Sequence, residues 1–322
     1  MKFLFLMDPY STLNLETETS LTLMTELLQR REEVYWCEMT DLALQGAQLV
    51  LDSRPVLTVQ PFALGPVERL PPEVFAALLI RKDQPFDLTY FHLTLLLEHL
   101  PAAVLQVNPA PALRRLNEKL YGLHWPEFVP PTLTSANQGH LEEFLQAQGE
   151  IVVKPLDDCS GRGIQRLHAQ DPEAKAKLQA MLLPDGKPRF VTAQAFLPAV
   201  AAGDKRVYLV NGQVLGVVNR IPKEGSFLGN IHQGAICAAS SLTLREQLIV
   251  ETLGPELRRE GLFLVGLDLI GERITEINLT SPSALRQINQ VTGLKLEVEL
   301  VNQLLQRVKE HRIQAGGLVG TA

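Results

Sequence analysis

No stretch of the chain approaches the roughly 18 consecutive apolar residues that a membrane-spanning helix needs. The apolar start, Phe3-Leu4-Phe5-Leu6-Met7, is cut off by Asp8-Pro9. A secretion signal has a longer apolar region that ends in small residues, so this one reads as a buried first strand. Cysteine is scarce. Cys37, Cys159 and Cys237 are odd in number, far apart and in no metal-type spacing, which fits a reducing cytoplasm. A basic surplus is also missing: the formal net charge is −6 and the pI about 5.7. That argues against nucleic acid or an anionic membrane as the main partner. Internal repeats and low-complexity runs are absent.

What is present is a chain of 322 residues, 46% hydrophobic, with mean hydropathy near zero. It is long enough for two or three domains, each with its own core. The first strand leads through Asp8-Pro9-Tyr10-Ser11-Thr12 to a helix capped at Thr19 or Ser20, then to a second strand at 34–38. A proline-rich meander follows, then the apolar run 74–80 and the charged loop Arg81-Lys82-Asp83-Gln84-Pro85-Phe86-Asp87. This order is that of an open α/β sheet. Ligands in such sheets gather at the carboxyl ends of strands, where Asp8 and the 81–87 loop lie. A helix at 89–100, a strand at 104–107 and a helix over 111–123 complete this part, and the prolines at 126, 130 and 131 mark a boundary.

The next segment carries a helix at 141–148 and the buried strand Ile151-Val152-Val153-Lys154-Pro155. Gly161 and Gly163 in the loop beyond it could let backbone N–H groups approach a phosphate. The loop matches neither named phosphate-binding pattern, and an ordinary turn explains it as well. A strand at 190–196 follows. The last segment contains two hairpins and two helices, at 243–260 and 294–309. Asn211-Gly212 between β-branched runs is a strong hairpin turn. Simple two-residue pairing there puts Lys205 and Arg220 on one face and Arg206 on the other, unless a bulge intervenes. His232, in the loop 221–234, reads as a solvated loop histidine.

The second hairpin spans 262–282, where Asp268, Glu276 and Asn278 interrupt apolar runs that a plain core would not break. Glu276 and Asn278 share one strand face by alternation. A two-residue turn at Gly271-Glu272 would put Asp268 on the other face; a three-residue connection, 271–273, pairs Asp268 with Glu276, and we expect the latter. Two carboxylates and an amide suit a hard cation such as Mg2+, which leaves its other positions to water and phosphates. A solvated hairpin face is the alternative.

Taken together, the ordered motifs resemble the prokaryotic-type glutathione synthetases, which are ATP-grasp ligases. They are Met7-Asp8-Pro9, Arg81-Lys82-Asp83, Asn117-Glu118-Lys119-Leu120, Val153-Lys154-Pro155-Leu156-Asp157, Gln194-Ala195-Phe196-Leu197-Pro198, Gly203-Asp204-Lys205-Arg206-Val207, Arg220-Ile221-Pro222, Gly229-Asn230, Val265-Gly266-Leu267-Asp268 and Thr275-Glu276-Ile277-Asn278-Leu279-Thr280-Ser281-Pro282. The resemblance implies α/β and α+β architecture in an ATP-grasp fold. An N-terminal open α/β (pre-ATP-grasp) domain at 1–122 would precede two lobes gripping ATP, at 123–200 and 201–312, with a flexible tail at 313–322. It implies that Lys119 and Lys154 contact ATP phosphates, helped by Gly161, Gly163 and Asn230. Gln194, Ala195, Phe196 and Leu197 would line the adenine and Asp204 would hold the ribose. Arg206 and Arg220 would act on phosphate or acyl group, and Asp268, Glu276 and Asn278 would hold Mg2+, with Mn2+ as an alternative ion.

The implied reaction is glutathione synthesis from γ-glutamylcysteine and glycine through an acyl phosphate, by a cytoplasmic homo-oligomer, a tetramer by resemblance. The 161–163 and 225–234 loops are candidate lids over the reacting groups. The chain departs from the family pattern at Asp158, Ser160 and Arg162 in a loop otherwise richer in glycine. It departs also at Leu228, where an arginine is usual, and at Gly234-Ala235, where a Gly-Gly pair is usual. Another carboxylate–amine pair is therefore an alternative, as is a nucleotide-binding regulator without turnover.

Overall fold

The computed structural model describes residues 1–158, 161–227, 229 and 234–319, with side chains as far as residue 315. The start is the expected buried strand, Lys2–Met7. It pairs in parallel with Glu33–Glu38 on one side and Phe75–Ile80 on the other, and Phe75–Ile80 pairs in parallel with Leu105–Val107. The proline-rich meander is more ordered than its sequence suggests. It contains the long strand Gln48–Val59, which adds to this sheet in antiparallel fashion through Tyr35 and Trp36. The four-residue strand Thr132–Ser135 joins Glu150–Pro155, Gln165–His168 and Val191–Ala195 in a second, antiparallel sheet. A third sheet, also antiparallel, has the order Ile236–Ala239, Gln213–Ile221, Asp204–Val210, Leu264–Ile270, Arg273–Asn278.

Helices flank these sheets where the sequence supplies caps. Glu18 accepts from Ser20 N and opens the helix Thr19–Gln29. Thr243 and Glu246 form a reciprocal capping box at the start of Leu244–Arg259. The expected helix over 111–123 is much shorter: Ala110–Arg115 is helical, and Leu116 has extended backbone. Asn117 accounts for the break, because its side chain accepts from Lys119 N and donates to Leu156 O instead of facing solvent on a helix. The last helix runs over Leu296–Val319, past residue 309, so the start of the expected tail is helical.

Packing separates the chain unevenly. Leu4, Leu6 and Ile80 of the first sheet share one apolar cluster with Val207, Val265 and Leu267 of the third. Phe3, Phe5 and Trp36 share another with Tyr208, Val210 and Val218. Burial on both faces of the parallel strands explains their unbroken apolar runs. The second sheet keeps a core of its own, built from Leu141, Leu145, Ile151, Val153, Leu178 and Val191. It meets the rest across a cleft, not through a shared core.

Both hairpins of the third sheet turn in two residues, each with positive φ: Asn211 and Gly212 (50° and 70°), Gly271 and Glu272 (55° and 62°). These are the twist-matched turns favoured in tight hairpins. A Cβ added to Gly212 would stand 2.4 Å from the main-chain oxygen of Gly254. Gly212→Ala therefore combines a left-handed backbone with a backbone clash. It should cost about 1–3 kcal/mol, read by urea unfolding; an unchanged midpoint would mean that this contact is soft.

Candidate active site

Two bulges decide which side chains meet. In the first hairpin Val210 pairs with Gln213 and Leu209 with Val214, but Tyr208 then pairs with Gly216, so Leu215 is extra. One extra residue reverses the alternation beyond it. Arg220 is thereby brought opposite Asp204, on the same face as Arg206, and Lys205 turns to the other face, where it reaches Glu246 Oε2 at 2.7 Å. The simple pairing, which joins Lys205 to Arg220, is thus corrected. In the second hairpin Ile270 pairs with Arg273 and Leu269 with Ile274, and then Asp268 pairs with Glu276, with Thr275 extra. The expected Asp268–Glu276 pair is present, but a bulge produces it and the three-residue connection does not exist.

Asp204, Arg206, Arg220, Asp268, Glu276 and Asn278 consequently share one sheet face. Arg206 grips Asp268 with both prongs, Nε to Oδ1 at 2.5 Å and Nη2 to Oδ2 at 3.0 Å. Gly266 makes room for that guanidinium, since a Cβ there would lie 3.1 Å from Arg206 Nη1. Arg220 Nη2 bridges Asp204 Oδ2 at 2.7 Å and Asp268 Oδ1 at 3.0 Å. Burial raises the cost of the Asp268 charge, but Arg206 and Arg220 overcome it and hold the carboxyl at about 2. For Asp204 burial wins, aided by the Asp268 charge and opposed by Arg220, and its pKa rises to about 6. Its Oδ1 is buried without a hydrogen-bond partner among the described residues, an acceptor with room for an outside donor.

Two cavities meet at this face. One, with about 650 Å3 of empty space, has mainly apolar walls: Val152, Ile164, Ala195, Phe196, Leu197 and Val200, with Gln194, Lys154 and Asp204 among them. Val152 pairs with Gln194 in register, and two-residue alternation brings Lys154 to the same side. Lys154 donates to Gln194 Oε1 at 2.8 Å, and burial lowers its pKa despite the opposing charge of Glu276. The other cavity, about 1070 Å3, is polar and holds Lys119, Gly161, Arg162, Arg206, Arg220, Asn278 and Ser283, with Asp83 and Gln84 from the N-terminal loop. Ile164, Asp268 and Glu276 line both.

The donors at the junction fit a hard divalent cation. Asn278 turns its Nδ2 to Asp268 Oδ2 at 3.2 Å, leaving the amide oxygen available. Glu276 Oε1 lies 3.2 Å from Lys119 Nζ without the alignment of a hydrogen bond, so it keeps acceptor capacity. Asp268 is instead saturated by two arginines. Among the described residues no group of three or more His, Cys, Asp or Glu is arranged to hold a metal ion by itself.

The remaining expectations divide. Lys119 reaches the junction and also donates to Asp158 O. Gly161 (φ 80°) faces the polar cavity, whereas Gly163 (φ 66°) packs against Pro155 outside both cavities. Arg81 is buried against Ser20 and Pro282 and Lys82 pairs with Asp8, so of that charged loop Asp83 and Gln84 are the residues that face the cavity. Asn230, His232, Leu228 and with them half of the second lid candidate lie outside the described residues, as do Cys159 and Ser160. The apolar walls at Ile164 and Val200 carried no sequence signal beyond hydrophobicity. Glu118 belonged to a motif and Gln84 to the charged loop 81–87, yet nothing in their spacing showed that they would meet.

Comparison with known proteins follows the same lines. The solved structure of D-cycloserine synthetase DcsG matches with a TM-score of 0.68 at 16% identity, over 95% of this chain and 99% of that one. The ATP-grasp ligase PsnB, complexed with minimal precursor, Mg, and ADP, matches with a TM-score of 0.61 at 16% identity, over 95% and 98%. The fold is that of the ATP-grasp ligases. Residues 1–114 match the N-terminal domain of prokaryotic glutathione synthetase, and residues 118–293 match its ATP-grasp domain. Glutathione synthetase of Thermosynechococcus vestitus is 37% identical over 92% of this chain and 97% of its own. That of Parasynechococcus marenigrum is 36% identical over 96% and 99%. The chain belongs to the prokaryotic glutathione synthetase family, whose members are ATP-dependent C–N ligases using a divalent metal.

Proposed function

We propose that the chain makes glutathione from γ-glutamylcysteine and glycine at the expense of ATP. Family membership supports this, and the observation that carries it is the meeting of an apolar, nucleotide-sized cleft with a charged cavity at Asp268 and Glu276. In this reading Gln194, Ala195, Phe196 and Leu197 enclose the adenine, and the orphan Oδ1 of Asp204 accepts from a ribose hydroxyl. Lys119, Lys154 and the Gly161 backbone hold phosphate oxygens. Glu276 and Asn278 would hold Mg2+, joined by Asp268 when Arg206 or Arg220 turns from it to a phosphate, and the ion would supply charge neutralisation for phosphoryl transfer. Arg206 and Arg220 face the cavity in which the dipeptide carboxylate attacks the γ-phosphoryl group. As charge passes to the acyl phosphate, these arginines lie beside it. Glycine's amine then displaces phosphate. Excluding water protects the acyl phosphate, and the separately packed second sheet is the part free to close.

The residue sets 1–122, 123–200 and 201–312 serve as the three working units, and the enzyme acts in the cytoplasm as a homo-oligomer, a tetramer. Ala235, in place of a second glycine, and Leu228, in place of an arginine, favour one further reading: a different carboxylate–amine pair. ADP release from Mg-ATP with γ-glutamylcysteine, with and without glycine, tests the choice. Release that needs both substrates and yields glutathione supports the proposal; ADP binding without turnover on that pair moves it to another pair. Lys154→Met should raise the KM for ATP about tenfold or more, with the amine KM little changed. Equal shifts in both constants would remove Lys154 from the nucleotide site.

A further inference from the structure

Glu118 immediately precedes Lys119 and is buried, at 5% exposure. Its main-chain oxygen accepts from Ile277 N at 3.0 Å. Its side-chain Oε1 accepts from Leu279 N at 2.6 Å, Thr280 N at 2.8 Å and Thr280 Oγ1 at 2.9 Å. Its Oε2 takes a hydrogen bond from Gln84 Nε2, on the N-terminal loop. The strand Arg273–Asn278 is an edge of its sheet, so these donors have no neighbouring strand to pair with. Glu118 stands in for that strand at Ile277 and Leu279, which flank Asn278, Ile277 also following directly on Glu276.

A strand's N–H groups lie in the sheet and its side chains project from it. Fixing the N–H groups of Ile277 and Leu279 therefore fixes the direction in which Glu276 and Asn278 leave the backbone. The same segment sets Lys119, whose ammonium lies 3.2 Å from Glu276. We infer that Glu118 is a positioning residue that aims the oxygens of Glu276 and Asn278 at a divalent cation, acting through the backbone of their strand. This rests on the Mg-nucleotide reading above. Partners that orient metal ligands in this way typically cost about 10–100-fold in metal affinity when removed.

The test is calorimetric binding of ADP to the full chain, in excess Mg2+ and in excess EDTA, with thermal unfolding alongside. The readout is the ratio of the two dissociation constants, which a merely structural tie would not move. Glu118→Ala should reduce the Mg2+ enhancement about tenfold or more. Glu118→Gln should keep it within about threefold, since its amide oxygen still accepts the three donors. Gln84 can then turn its own amide, whose Oε1 is buried without a partner. Glu118→Asp keeps the charge and withdraws the acceptor, which guards against an alanine variant that does not fold; it should lose enhancement too. An unchanged ratio in Glu118→Ala or Glu118→Asp overturns the inference, as does a loss in Glu118→Gln equal to that in Glu118→Ala. Wild-type chain with no Mg2+ enhancement overturns the metal reading itself, and the inference with it.

Discussion

Replacing Glu276 by glutamine is expected to lower kcat/KM for ATP about a thousandfold while leaving thermal stability within about 2 °C. The two halves of this expectation have separate causes. Glu276 is the one junction carboxylate not saturated by arginine, and its Oε1 retains acceptor capacity close to Lys119. An amide of the same shape keeps the packing and removes the charge, which a hard cation requires. Losing that ligand withdraws charge neutralisation from the phosphoryl-transfer transition state, and a thousandfold corresponds to about 4 kcal/mol. Folding, by contrast, loses an ion pair that is largely buried, at 4% and 20% side-chain exposure, but no hydrogen bond, because the two groups are not aligned for one. Lys119 also keeps its hydrogen bond to Asp158 O. ADP release and a thermal melt on one preparation decide the matter. Turnover at the wild-type rate would remove Glu276 from the metal site; a large fall in Tm would show it to be structural first.

The motifs that carry the fold and most of the site were legible because each combines local chemistry with a fixed neighbour. Apolar runs ending in Asp8-Pro9 and at Ile80 place the parallel strands, and Asn211-Gly212 places a turn. The relation between strands was less legible, because alternation is a local rule and a bulge resets it. Leu215 and Thr275 look like ordinary strand residues, yet their being unpaired decides which face Arg220 and Asp268 occupy. For Asp268 the expected partner was right while the connection was not: the turn is two residues long and the missing residue is in the strand. Leu113, Leu116 and Leu120 show helical spacing, but Asn117 closes a local hydrogen bond that competes with the helix. Glu118 illustrates a harder limit. Its partners are 34 residues away at Gln84 and 161 at Leu279, and no local pattern encodes contacts of that range.

Asp268 should behave differently from Glu276, because it is held by two guanidinium groups and an amide in a buried place. Asp268→Ala is expected to abolish measurable ATP turnover and also to destabilise the chain by about 3–5 kcal/mol, the usual cost of leaving a buried partner charge unpaired. The pH dependence follows the same contacts. The folded pKa of about 2 is below the ordinary 3.8, so this carboxylate contributes stability above the unfolded value, and that contribution is lost as pH falls through about 2. Asp268→Ala should therefore narrow its deficit against wild type as unfolding is measured at lower pH. Most of its cost should come from Arg206, since Arg220 keeps Asp204 Oδ2 at 2.7 Å. Asp268→Leu combined with Arg206→Met, which removes the orphaned charge and refills the space, should recover much of the stability and none of the turnover. If the double variant is as unstable as the single one, Arg220 and not Arg206 is the group that Asp268 neutralises. Recovery of stability without activity would show that this ion network is retained for the reaction, at a cost to the fold that apolar packing would avoid.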